Sequence, residues 1–254
     1  MRRLLLATLA LASAVPTAHA SNEWFEPGTA VLITVSHGFE DMFRNWWHWY
    51  AKLDLNMEVL LLAEDEPTRS AFAESRNWTV ITTTMGALPT KDHTYETPIY
   101  KKLVSRRPHN ILRGLDKYPR LIYTDVDTVW LSDPRPHFAA GAYDFWGQLD
   151  DGTLQSPYYC TGFLAFKNTA PTRALLSKWA VALDAKPNLN QPLFNDLKKR
   201  EPAKHCPLSQ ALFPSGRRYF DEKKRDGVVV VHNNFVIGKA KKIARFKQVG
   251  LWAV

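Results

Sequence analysis

Short, unbroken apolar runs alternate with stretches whose apolar positions recur every three to four residues, and this alternation organises the whole chain. Ala30 to Val35 (AVLITV) and Glu58 to Ala63 (EVLLLA) have the length and continuity of strands buried on both faces, and Thr79 to Thr83 is a possible third. Between the first two, Phe39, Met42, Phe43, Trp46, Tyr50 and Leu53 fall at helical spacing, with Glu40 and Asp41 in the first turn where a helix dipole favours them. Strand, helix, strand in that order predicts a βαβ unit and a parallel sheet. Glu64-Asp65-Glu66-Pro67 reads as an acidic turn closing the second strand. Tyr100 to Leu115 predicts two helical pieces divided by Pro108, with a basic face carrying Lys101, Lys102, Arg106, Arg107 and Arg113. Arg120 to Thr124 (RLIYT) is again strand-like and runs into Asp125-Val126-Asp127. Further strands are predicted at Tyr143 to Gln148, Tyr159 to Lys167 and Val228 to Val231. Helices follow from Leu175, Leu176, Trp179 and Leu183 after Thr169 and Pro171, and from Gln191 to Lys199, and Lys239 to Trp252 is a basic helix or arm. The expected fold class is α/β with a mainly parallel central sheet.

With 254 residues, 45% hydrophobic and 12% aromatic, the chain can build one core, and no internal repeat or linker divides it. Met1 to Ala20 (MRRLLLATLALASAVPTAHA) has a basic pair, an apolar stretch and Ala18-His19-Ala20, the pattern of a cleaved secretory signal, leaving 21–254 as a single domain. The formal charge of +8 falls to +6 without Arg2 and Arg3, so the basic character belongs to the mature domain. A secretory route, to the ER or Golgi lumen or outside the cell, argues against a nucleic-acid partner, and no integral membrane partner is implied. In such a compartment Cys160 and Cys206 are expected to be joined, and Asn77-Trp78-Thr79 is a glycosylation sequon.

Asp125 and Asp127 end an apolar strand, the place where open α/β sheets bind ligands. Two carboxylates at i and i+2 point to one side, and they must repel, shift their protonation or share a divalent cation. On that account, replacing either one is expected to spare the fold.

The stretch YTDVDTVWLSDP (Tyr123 to Pro134) resembles the DxD segment of nucleotide-diphospho-sugar transferases, in particular the retaining glycosyltransferases of family 77. The resemblance continues in order through Tyr100-Lys101-Lys102, Ser105-Arg106-Arg107-Pro108, Tyr159-Cys160-Thr161-Gly162-Phe163, Asn190-Gln191-Pro192-Leu193-Phe194-Asn195 and His232 to Trp252, roughly residues 29 to 252. It implies a GT-A, Rossmann-like domain that moves a sugar from a nucleotide-diphospho-sugar donor to a glycan or glycoprotein acceptor. It also implies that Asp125, Asp127 and His232 hold Mn²⁺ or Mg²⁺, the imidazole favouring Mn²⁺. Gly238 and Lys239 would reach the donor diphosphate, with Lys102 and Arg106 as weaker phosphate candidates or a solvated face. The family has Asp-Gln where this chain has Asn190-Gln191, so one carboxylate is missing. Gln191 is expected at the reacting centre, with Asp150 and Asp151 as the carboxylates able to face the sugar. Two rivals stay open at this point. Asp125 to Val129 also fits the nucleophile loop of haloacid dehalogenase-like phosphatases, and a secreted glycan-binding module would need no turnover.

Overall fold

The structure, a computed structural model, describes residues 22–83, 86, 97–138, 141–187 and 190–254. Residues 1–20, read as a signal, lie outside these. Nine strands, β1 (Thr29–Val35), β2 (Glu58–Ala63), β3 (Thr79–Thr82), β4 (Arg120–Thr124), β5 (Thr128–Trp130), β6 (Phe145–Gly152), β7 (Pro157–Lys167), β8 (His205–Pro207) and β9 (Val230–His232), are described. Seven helices accompany them: α1 (Glu40–Ala51), α2 (Glu66–Phe72), α3 (Pro98–Ser105), α4 (Arg107–Leu115), α5 (Ala170–Ala185), α6 (Asn190–Leu197) and α7 (Lys239–Gln248).

The central sheet has the order β3-β2-β1-β4-β7-β6-β8. Its first four strands are parallel, as the βαβ pattern requires, β7 runs antiparallel to both β4 and β6, and β8 joins β6 in parallel. The chain builds outward from β1 to β3 and returns to the other side of β1 with β4, so the order reverses there. Ligands of open α/β sheets bind at the carboxyl ends of the strands flanking such a reversal. Alternate side chains of these strands feed two cores. Trp24, Phe43, Trp46, Trp130 and Trp146 pack on one face, and Ile111, Leu115, Leu175, Trp179 and Phe194 of α4, α5 and α6 pack on the other.

Two sequence readings are corrected. The acidic turn is a helix start: Asp65 accepts a hydrogen bond from the Thr68 amide at 2.9 Å, and Pro67 sits in the first turn of α2, where a missing N–H costs nothing. The two cysteines are free. Cys160 is on β7 and Cys206 on β8, with β6 between them, and two strand spacings of ~4.8 Å each exceed the ~7 Å that a disulfide can span between Cα atoms.

Candidate active site

The strand β4 is buried along its whole length and delivers Asp125 at its carboxyl end, beside the reversal. A tight turn follows, in which Thr128 N donates to Asp125 O, and β5 begins at once. The β5 partner is β9, which closes the four-valine run at 228–231 and pairs antiparallel to it, with Thr128 opposite His232. That register sets the imidazole against the two aspartates although more than a hundred residues of chain intervene. The Asn233 N–H donates to Asp127 O at 2.9 Å and fixes the exit from β9.

Each aspartate has one oxygen held by a protein cation and one aimed inward. Asp125 Oδ1 accepts from Arg107 Nη2 at 2.8 Å and from the Tyr123 hydroxyl at 2.9 Å. Burial pushes the Tyr123 phenol upward, so it stays protonated and donates. Asp127 Oδ2 accepts from Lys242 Nζ. The inward atoms, Asp125 Oδ2 and Asp127 Oδ1, lie 3.9 and 3.2 Å from His232 Nε2. Adjacent ligands of a six-coordinate divalent ion with bonds of ~2.1 Å stand roughly 3 Å apart, and one atom from each of the three residues satisfies that within a small adjustment. Burial alone would raise the Asp127 carboxyl. The charges of Lys242 and His232 outweigh it and hold Asp127 below the usual carboxylate range. Burial alone would lower His232, but Cys160 and Asp127 outweigh it and raise the imidazole above its ordinary 6.5.

Two further features fit this cluster to a cation. A Cβ built on Gly162 of β7 would collide with Asp125 Oδ2 and with His232 Cε1, so the floor between the ligands is open only because position 162 is glycine. Behind the imidazole, the buried Gln148 donates from Nε2 to Phe213 O at 3.2 Å and Pro214 O at 2.8 Å. Two carbonyls demand the amide nitrogen, so Oε1 must face His232 Nδ1, 2.9 Å away. His232 therefore carries a proton on Nδ1, and in its neutral form Nε2 presents a lone pair to the aspartates. Gln148→Leu is expected to lower the cluster's affinity for a divalent cation by about 10- to 100-fold, read by calorimetric titration with Mn²⁺. Wild-type affinity in that variant would mean another group sets the tautomer.

A second polar cluster is built on β6, α6 and the loop leaving β9. Asp150 is held from two directions, its Oδ2 by Gln191 Nε2 at 2.8 Å and its Oδ1 by Asn234 Nδ2 at 2.9 Å. Gln191 also accepts from the Thr161 N–H through Oε1 at 3.2 Å. Asp151 follows on β6, with its side chain outside the described residues. Asn190, where a carboxylate was missed, does not face this space. Its Oδ1 accepts from Thr161 Oγ1 at 2.7 Å and Arg107 Nη1 at 3.2 Å, and its Nδ2 donates to Val104 O at 2.6 Å. A carboxylate could not make the last bond, so the asparagine clamps α3, Arg107 and β7 together and leaves the Arg107 charge to Asp125.

The predicted phosphate ligands separate. Gly238, at φ +95°, opens α7 in a conformation that favours glycine, and Lys239 Nζ lies 3.3 Å from Asp41 of α1 while Lys242, one turn on, enters the cluster. Lys102 is exposed on α3. Arg106 corrects the solvated-face reading. It is fully buried and pairs with the equally buried Glu64 at 2.7 Å. A basic periodic face cannot announce that, because one turn of helix rotation turns Arg106 and Arg107 inward and leaves Lys102 outside.

A model of the nucleotide-diphospho-sugar transferase family matches residues 55–246. Among curated relatives, UDP-D-xylose:L-fucose alpha-1,3-D-xylosyltransferase 3 of Arabidopsis thaliana is 29% identical across 89% of this chain and 67% of that protein. UDP-galactose:fucoside alpha-3-galactosyltransferase of Dictyostelium discoideum is 23% identical across 91% of this chain and 44% of that protein. Among solved structures, the galactosyltransferase LgtC in complex with donor and acceptor sugar analogues aligns with a TM-score of 0.55 at 13% identity, covering 88% of this chain and 95% of that one. The glycosyltransferase GlyE of Streptococcus pneumoniae TIGR4 gives 0.59 at 12% identity, covering 89% and 60%. The fold is thus of the GT-A type, and the phosphatase and non-catalytic readings give way. With the family model spanning most of its length and its glycosyltransferase fold intact, the chain belongs to the nucleotide-diphospho-sugar transferase family.

Proposed function

We propose that this chain transfers a sugar from a UDP-sugar to a fucose-bearing glycan or glycoprotein, with retention and with Mn²⁺ at Asp125, Asp127 and His232. The observation that carries the reading is the convergence of three inward ligand atoms over the glycine floor, at the carboxyl end of β4. The names of the relatives supply the substrate classes: UDP-xylose or UDP-galactose as donor, fucose or a fucoside as acceptor, and an alpha linkage in the product. A bound divalent cation would neutralise the diphosphate and stabilise it as a leaving group.

The remaining work falls to the chain itself. Lys242 and Lys239 add positive charge beside the diphosphate, as point charges on α7. Arg107 and Tyr123 keep Asp125 oriented. Asp150, fixed by Gln191 and Asn234, is the carboxylate that orients the acceptor or faces positive charge developing on the sugar, one of the two the sequence offered for that part. Residues 1–20 act as a secretory signal ahead of one GT-A domain in this reading. Among the described residues no helix is long and apolar enough to cross a membrane.

The test is donor hydrolysis and transfer with UDP-xylose and UDP-galactose, with and without Mn²⁺ and a fucoside. Metal-dependent UDP release and a fucoside product with a new alpha linkage are expected, and a failure to release UDP from any UDP-sugar would refute the reading. The pH dependence follows from His232. Coordination needs the neutral ring, and Asp127 raises the pH at which the proton leaves, so Mn²⁺ must displace a proton at neutral pH. Affinity should therefore fall as the pH drops from about 8 to about 6, approaching tenfold per unit below the raised value. An affinity flat over that range would remove His232 from the ligand set.

A further inference from the structure

The loop that leaves His232 exposes apolar side chains beside Asn234, whose amide reaches Asp150. Phe235 is 42% exposed and Ile237 56%. Phe235 also holds φ at +58°, a left-handed conformation that bulky residues avoid at a cost of order 1 kcal/mol or more. The loop is held there from several sides. Asn234 Oδ1 accepts from the Gly216 N–H at 2.6 Å, Asn234 O accepts from Arg245 Nη1 at 3.3 Å, and Asn234 Nδ2 reaches Asp150. A Cβ on Gly216 would run into Asn234 O, so that close approach also depends on glycine. The Arg217 guanidinium stands 4.5 Å over the Phe235 ring and limits its motion. A phenylalanine kept both strained and wet adds little to the core, and its neighbour Asn234 holds the same carboxylate that Gln191 holds.

We propose that Phe235, with Ile237 two residues on, is the apolar platform of the acceptor subsite and selects a 6-deoxyhexose. The inference rests on the transferase reading above and extends it to a specificity-determining residue. Asp150 and Asn234 offer polar partners to ring hydroxyls, while the ring and the isoleucine offer none. A sugar that turns its C–H face and a methyl group to Phe235 removes apolar area from water and leaves no polar group stranded. The same sugar with a hydroxyl on C6 would place it over hydrocarbon without a partner.

The experiment measures binding without needing turnover. Saturation-transfer NMR and competition titrations compare methyl α-L-fucoside with methyl α-L-galactoside, which differ only in the C6 hydroxyl, on the full chain with UDP and Mn²⁺. Wild type, Phe235→Ala and Phe235→Trp are each tested, beside a melting curve. The wild type should bind the fucoside more tightly, with transfer strongest at its methyl group. Phe235→Ala should weaken the fucoside about tenfold more than it weakens UDP and erase the preference, and Phe235→Trp should restore both, as expected for an aromatic surface. The proposal is overturned if Phe235→Ala binds the fucoside as wild type does, if it weakens UDP equally, or if wild type ignores the C6 hydroxyl. Absence of UDP release from UDP-sugars in the wild type would instead strike the transferase reading, and the fucoside titration still decides the platform.

Discussion

Asp127→Asn and Asp125→Asn are each expected to lose at least about a hundredfold in Mn²⁺ affinity and, with it, metal-dependent UDP-sugar binding, because each removes a charged ligand rather than a supporting group. The two should differ in what they do to the fold. Taken as a bare carboxylate pair, either residue could be deleted with relief of repulsion. The structure shows instead that each negative charge already has a cation. Arg107 is 8% exposed and reaches Asp125 from the first turn of α4, so Asp125→Ala leaves a buried guanidinium with Thr161, Asn190 and Tyr123 as neutral partners. Breaking such a pair from one side costs about 3 to 5 kcal/mol, here at the lower end because those partners remain. Lys242 is less enclosed and can turn toward solvent, so Asp127→Ala should cost less, about 1 kcal/mol. Thermal melts of both alanine and both asparagine variants, beside Mn²⁺ titrations, separate ligand loss from stranded charge. Equal melting temperatures for the two alanine variants would show that Arg107 does not depend on Asp125.

The elements that carry the site were legible where the signal was local. An apolar strand running into Asp125-Val126-Asp127 placed the pair at a sheet edge, and Pro108 divided α3 from α4 as its fixed backbone requires. The three-residue β5 was not legible, since no periodicity survives in so short a segment. Yet its pairing with β9 is what makes His232 a ligand, and only the family resemblance pointed there. Arg107 was counted only as part of a basic helical face, because a charge pattern cannot show that its partner is Asp125. On α7 the sequence singled out Lys239, whereas the helix turns Lys242 toward Asp127. Gln148 left no trace, because its partners lie more than 60 residues away along the chain.

Gly162→Ala is the smallest change expected to close the site. The residue lies within β7, its backbone needs no special conformation, and its carbonyl accepts from the Asp125 N–H at 2.7 Å, so the fold tolerates alanine at that level. Space is what alanine lacks, since its methyl would press on Asp125 Oδ2 and His232 Cε1, atoms of two of the residues that would hold a cation. Neither neighbour can retreat freely. Arg107 and Tyr123 pin Asp125, and Gln148 pins His232. Either these bonds give way at about 1 to 3 kcal/mol of stability, or the methyl remains and excludes the ion. Both routes predict loss of Mn²⁺ affinity comparable to removing a ligand. Gly114→Ala supplies the control, because its methyl would press on Leu121 in the core and tax stability without touching the cluster. A Gly162→Ala protein that binds Mn²⁺ and UDP like wild type would show that the three inward atoms do not share one ion over this floor, and the metal would then have to be held by some other pair of groups.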